Sequence, residues 1–109
     1  MTLQTGFHPE ALEELTVAAA RFEAYRSGLG DEFVDAVAAT VRRAAVHSSR
    51  FMLVHMTPRG VEVRRARLAP YRFRYVVVFA VLPLEISVIA VPHTSQRPGY
   101  WMARLTQGR

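Results

Sequence analysis

The residues whose type and spacing most directly imply chemistry are four arginines in two alternating pairs, Arg65 with Arg67 and Arg72 with Arg74. A planar guanidinium grips carboxylate or phosphate oxygens two at a time, so a cluster of them makes an anion site. Strand register would bring these four together. Residues 61–68, 71–81 and 84–91 are rich in Val, Ile and aromatics, with Pro70 and Pro83 at the turns, and read as a three-stranded antiparallel meander. Alternation puts Phe73, Tyr75, Val77 and Phe79 on one face of the second strand and Arg72, Arg74, Val76 and Val78 on the other. A turn centred on Ala69 and Pro70 sets Arg67 opposite Arg72 and Arg65 opposite Arg74. A hairpin centred between Leu82 and Pro83 sets Arg72 opposite His93 and Arg74 opposite Val91. One open face is thus expected to hold all four arginines, with His93 near its rim and Val61, Val63, Val76 and Val78 further along. Like charges directly opposed in a sheet cost roughly 0.2 to 1 kcal/mol per pair, which argues that the stack serves a phosphate or an acidic, partly aliphatic partner. The plain alternative is a solvated face whose arginines splay apart.

Other candidates carry less. His93, with an ordinary pKa near 6.5, has the chemistry of a general acid or base, or makes a local hydrogen bond at a strand end. Tyr100 and Trp101 can stack on a nucleobase, although a C-terminal aromatic pair more often plugs the edge of a core. Glu62 lies on the face opposite the arginines and is expected to pair with Arg64. His8, His47, His55 and His93 have no metal-binding spacing, and Gly28 and Gly30 form neither a phosphate loop nor a dinucleotide fingerprint. No metal site and no cofactor is expected.

The elements that must position these residues are read from periodicity. Leu3, Thr5 and Phe7 alternate as a short first strand. From Pro9 to about Arg26, Leu12, Leu15, Ala19 and Phe22 step by three or four, with Glu10, Glu13 and Glu14 near the positive end of the dipole. Residues 27–30 break this helix, and Asp31 is a suitable N-cap for a second one carrying Phe33, Val37, Val41 and Ala44 on one face. The short link makes the pair an antiparallel hairpin. Residues 48–60 show no period and read as a loop, and residues 95–109 end in a short turn or helix.

Charge is strongly segregated. Residues 1–41 hold seven acids and two arginines, whereas residues 42–109 hold twelve arginines and two acids, so the second half carries +10 and calls for an anionic partner. The 109-residue length fits one domain spanning 1–109, and the balance of 50% hydrophobic to 21% charged residues is that of a globular chain. There is no cysteine for disulfides or thiolate chemistry, and the longest nearly apolar run, 75–84, is too short to span a membrane. A cytoplasmic location is expected.

The series Phe7-His8-Pro9-Glu10-Ala11, Glu13-Glu14-Leu15, Gly28-Leu29-Gly30-Asp31-Glu32-Phe33, Val63-Arg64-Arg65-Ala66-Arg67-Leu68, Pro70-Tyr71-Arg72-Phe73 and His93 followed by Arg97-Pro98-Gly99-Tyr100-Trp101 resembles the RelE/ParE toxin family. The resemblance covers nearly the whole chain. It implies an α+β fold of order β-α-α-β-β-β, with a two-helix hairpin on one face of an antiparallel sheet. It also implies a bacterial type II toxin whose cognate antitoxin lays an acidic, apolar segment over Arg65, Arg67, Arg72, Arg74, Val76 and Val78. RelE-like members cut mRNA on the ribosome, a role that would assign charge stabilisation to Arg67, Arg72 and Arg74 and proton transfer to His93 and Tyr100. ParE-like members poison DNA gyrase. The chain has no lysine, which the RelE branch commonly uses, and its ending resembles the ParE branch, so gyrase is the leading expectation and mRNA the second. A basic nucleic-acid-binding module without toxicity is the third. The apolar turn 80–84, the length of 55–60 and Pro92 before His93 depart from the family pattern.

Overall fold

The computed structural model describes residues 2–69 and 71–106. Its elements run β1 (Gln4–Phe7), α1 (Pro9–Tyr25), α2 (Leu29–His47), β2 (Met52–Met56), β3 (Glu62–Arg67), β4 (Val76–Val81) and β5 (Glu85–Ala90), with 3-10 turns at Ser48–Arg50, Tyr71–Phe73 and Met102–Thr106. One five-stranded sheet has the order β1-β5-β4-β3-β2, antiparallel except where β1 runs parallel to β5. The fold is α+β, as expected, but β2 arises within the 48–60 stretch read as loop, so the order is β-α-α-β-β-β-β. No helix among the described residues is long and apolar enough to cross a membrane.

The helices begin where local chemistry dictates, with one correction. His8 caps α1, its Nδ1 accepting a hydrogen bond from the Glu10 amide at 3.1 Å, and Pro9 takes the first helical position where no amide is needed. The N-terminus of α2, in contrast, is not capped by Asp31. Helix α2 starts at Leu29, and the Glu23 carboxylate of α1 accepts from the amides of Gly28 (3.0 Å) and Gly30 (3.0 Å). A side chain at residue 30 would put its Cβ 2.7 Å from the Ala19 carbonyl oxygen, so only glycine lets the helices close here.

The helices cover one face of the sheet. Ala11, Ala18, Phe33, Val37 and Ala44 meet Ala66, Phe73, Val77, Phe79, Ile86 and Val88 in the main core. Phe73, Val77 and Phe79 therefore point where alternation placed them. A second cluster fills the opposite face, where Val63, Val76, Val78, Ala80, Ile89 and Ala90 pack under Trp101.

Register departs from expectation at both turns. Arg67 pairs with Val76 and Arg65 with Val78, not with Arg72 and Arg74. The chain leaves the sheet after Leu68, whose amide donates to the Tyr75 carbonyl at 3.2 Å, and loops through the 3-10 turn and Arg74, whose φ is +55°. This loop tucks Phe73 beside Phe22 and Phe33 at ring separations of 5.3 and 5.4 Å. Pro70, half of the expected turn, lies outside the described residues, as do residues 107–109 of the expected C-terminal turn. The next hairpin closes at Leu82, whose amide donates to the Glu85 carbonyl at 2.8 Å, so Val81 faces Ile86 and the turn centre moves one residue along. His93 then bridges to Tyr75 instead of Arg72.

Candidate partner-binding cleft

The sheet face away from the helices carries a cleft of roughly 360 Å³. Val76, Val78 and Trp101 contribute its apolar lining, and Arg65, Arg97, His55 and His93 stand around it. Each comes from a different constraint. Arg65 projects by strand alternation with Val63, whereas His55 reaches the cleft because a bulge at Val54 shifts the pairing of β2. The 92–102 segment closes the far wall.

That wall is clasped to α1. The Glu14 carboxylate accepts the Val91 amide at 2.9 Å, the Tyr100 hydroxyl at 3.0 Å and the Arg104 guanidinium at 2.7 Å. Arg104 also donates to the Ile89 carbonyl at 3.0 Å. Burial, then the Glu14 charge, raise the Tyr100 pKa well above the ordinary phenol range, so the hydroxyl stays protonated. Burial alone would lower the Arg104 pKa, but the hydrogen bond and charge of Glu14 outweigh it and the net shift is upward. Tyr100 is thus a donor fixed to Glu14 and not a base poised over the cleft.

His93 stands between two hollows. Its Nδ1 accepts the Ser95 amide at 3.0 Å and lies 2.7 Å from the Ser95 hydroxyl, which leaves Nε2 as the ring nitrogen available to a ligand. Its ring meets Tyr75 edge-on at 5.2 Å. On its other side a larger hollow, roughly 640 Å³, runs along α1 between Glu13 and Arg21. Opposed charges and a single expected site residue make that hollow a poorer anion site than the smaller cleft.

The expected arginine cluster is divided. Arg65 lines the cleft, and Arg67 lies exposed on the same face at the end of β3, opposite Val76. Arg72 turns to the helix side, where it pairs with Glu32 and lies 4.8 Å over the Phe73 ring. The Arg72 hydrogen bond is the main cause holding the Glu32 carboxyl below its usual range, against a smaller desolvation effect and with help from Arg26. Arg74 sits exposed in the loop, its carbonyl accepting the Thr94 amide at 2.9 Å. Val76 and Val78 are on the expected face but are 4% and 3% exposed, roofed by Trp101 and its neighbours. Glu62 pairs with Arg64 at 2.9 Å, as its spacing implies.

Sequence reasoning missed Arg97, Val54, the cleft position of His55 and the clasp of Glu14 with Arg104. Only Arg97 had a local signal, its place beside the Pro98-Gly99 turn. Among the described residues no three His, Asp or Glu side chains gather as a metal would require. No family model, curated protein or solved structure matches the chain.

Proposed function

We propose that this chain is the toxin of a type II toxin-antitoxin module, a cytoplasmic inhibitor of DNA gyrase neutralised by an acidic antitoxin. The observation supporting this reading is the cleft, an apolar lining rimmed by Arg65 and Arg97 on the half of the chain that carries +10. Such a surface fits a protein segment bearing both carboxylates and aliphatic side chains. Ribosome-dependent cleavage would need a base, an acid and a cation around one phosphate. Tyr100 is instead held by Glu14 and Arg72 by Glu32, which favours binding over RNA chemistry.

The test is a gyrase supercoiling assay with the purified protein, alongside mRNA in a bacterial translation reaction. Loss of supercoiling, relieved by the product of an adjacent acidic reading frame, is the expected result. Replacing Arg65 and Arg97 together with Ala should weaken antitoxin binding tenfold or more without changing the circular-dichroism spectrum. Codon-phased cuts in the transcript with gyrase unaffected would transfer the reading to an mRNA endonuclease. No effect on either target and no growth defect on induction would end the toxin reading.

A further inference from the structure

Strand β2 is the outermost strand of the sheet beside β3, and among the described residues no strand pairs with its outer edge. Natural edge strands are guarded by charge, by proline or by a covering element, because an open edge recruits other strands. The five residues Met52-Leu53-Val54-His55-Met56 contain neither a permanent charge nor a proline, and their one irregularity is the bulge at Val54. Met52 is 63% exposed, Leu53 46%, Val54 37% and Met56 46%. These side chains occupy both faces. Met52 lies beside Arg65 and His55 beside Val63 on the cleft side, while Leu53 lies beside Arg64 and Met56 beside Glu62 on the helix side. Apolar surface on both sides of an unpaired backbone is the character of an interior strand, not of a final one.

The surroundings select what completes it. Arg50 and Arg59 flank the strand, and exposed Arg65 stands one strand inward. The single acid between residues 48 and 69 is Glu62, already paired with Arg64. A second copy pairing antiparallel about Val54 would set Arg50 beside Pro58 and Arg59 of its twin, with no carboxylate nearby to offset them. A nucleic acid would satisfy the arginines but not the exposed Met and Leu side chains or the main-chain edge. We infer that β2 accepts an extended acidic peptide, alternating apolar and carboxylate residues, as a sixth strand. Main-chain hydrogen bonds supply the affinity and alternate side chains the specificity. On the helix side the peptide's apolar residues pack on Leu53 and Met56; on the cleft side its carboxylates reach Arg65, with Arg50 and Arg59 at the ends. Because Val54 and His55 also line the cleft, the added strand extends the cleft lining. This deepens the antitoxin reading and rests on it for the source of the peptide, whereas the open edge and its charges stand on geometry alone.

The experiment titrates a blocked ten-residue peptide of alternating valine and glutamate into the intact protein and follows amide hydrogen exchange by residue. Slowed exchange across Met52–Met56 is the expected result, with binding at least tenfold weaker for a valine–lysine peptide. Methylating alternate peptide amides should abolish binding in one of the two frames and spare it in the other. Met52→Glu, at a position exposed enough to leave the fold intact, should lose tenfold or more, while Met52→Lys keeps the wild-type affinity. Three results would overturn the inference: protection confined to other strands, equal binding of the lysine peptide, or β2 protected without peptide in a protein that light scattering shows to be dimeric. Peptide uptake at β2 by a protein without effect on gyrase would support the edge and remove the toxin reading. Gyrase inhibition without β2 protection would do the reverse.

Discussion

The two faces of the sheet are closed by different means. Under the helices, Phe22, Phe33 and Phe73 meet ring to ring at 5.0 to 5.4 Å, and small residues such as Ala11, Ala18 and Ala44 let two long helices lie close. That closure is made of apolar area. On the other face, Trp101 with Tyr100 and Leu105 roofs Val63, Val76, Val78 and Ala80, and the segment is held round the end of β5 by the Glu14 carboxylate. That closure is a polar clasp over a small apolar plug, and it leaves a cleft beside it. Under the helices the sheet residues are sealed and the hollow that remains runs along α1, whereas the single short segment on the other face keeps the valines dry and leaves the cleft beside it.

Mutations should separate the two closures. Phe33→Ala, at the centre of the aromatic group, is expected to cost about 3 to 5 kcal/mol in urea unfolding. Trp101→Ala should lie at the low end of that range, about 3 kcal/mol, because its pocket opens at the cleft and relaxes more easily. If the tryptophan proved the costlier of the two, the ranking of the faces would be reversed. Glu14→Ala leaves the Arg104 guanidinium, 10% exposed, without its nearest carboxylate, and about 2 kcal/mol should be lost. Faster exchange of the Val91 amide would locate that loss in the clasp.

The smallest effect concerns acid. Because the Glu32 carboxyl is held below its ordinary value of 4.5, chiefly by Arg72, its contribution to stability is present above that value. It fades as pH falls through the lowered folded value. The thermal midpoint of wild type minus that of Glu32→Gln should therefore be constant above pH 4.5 and shrink below it. A difference that grew in acid would contradict the assigned pairing of Arg72.

Much of this arrangement is legible locally. Two helices follow from steps of three and four, as do the core-facing Leu15, Ala19 and Phe22, although Leu12 of the same series is exposed and Ala11 and Ala18 are the buried residues of α1. The inward Val77 and Phe79 follow from strand alternation, whereas Phe73 joins the core from the 3-10 turn. The pairing of Glu62 with Arg64 needs only two residues of spacing. Strand β2 was hidden because its exposure on both faces leaves no alternation to detect. The cap of α2 was misassigned because its carboxylate, Glu23, arrives from the previous helix, and the clasp was missed because Glu14 and Arg104 lie far apart in the chain. Arg97 reached the cleft only once the 92–102 segment had folded back over the sheet.

Composition and periodicity by themselves determined the helical hairpin, the inward faces of the strands and the basic character of the second half. Tertiary structure alone decided which arginines share a face with the cleft. The reason lies in the symmetry of a strand. Pairing Arg67 with Val76 instead of Arg72 moves the register by an even number of residues, which preserves the inward and outward assignments of the residues that stay in the strands, Val76 to Val81, while changing every partner and leaving Arg72 and Arg74 outside the ladder. Parity is a local property that a sequence carries in each pair of neighbours. Register is set by how long the loop must be to bury Phe73 between Phe22 and Phe33, and that length belongs to the packed molecule.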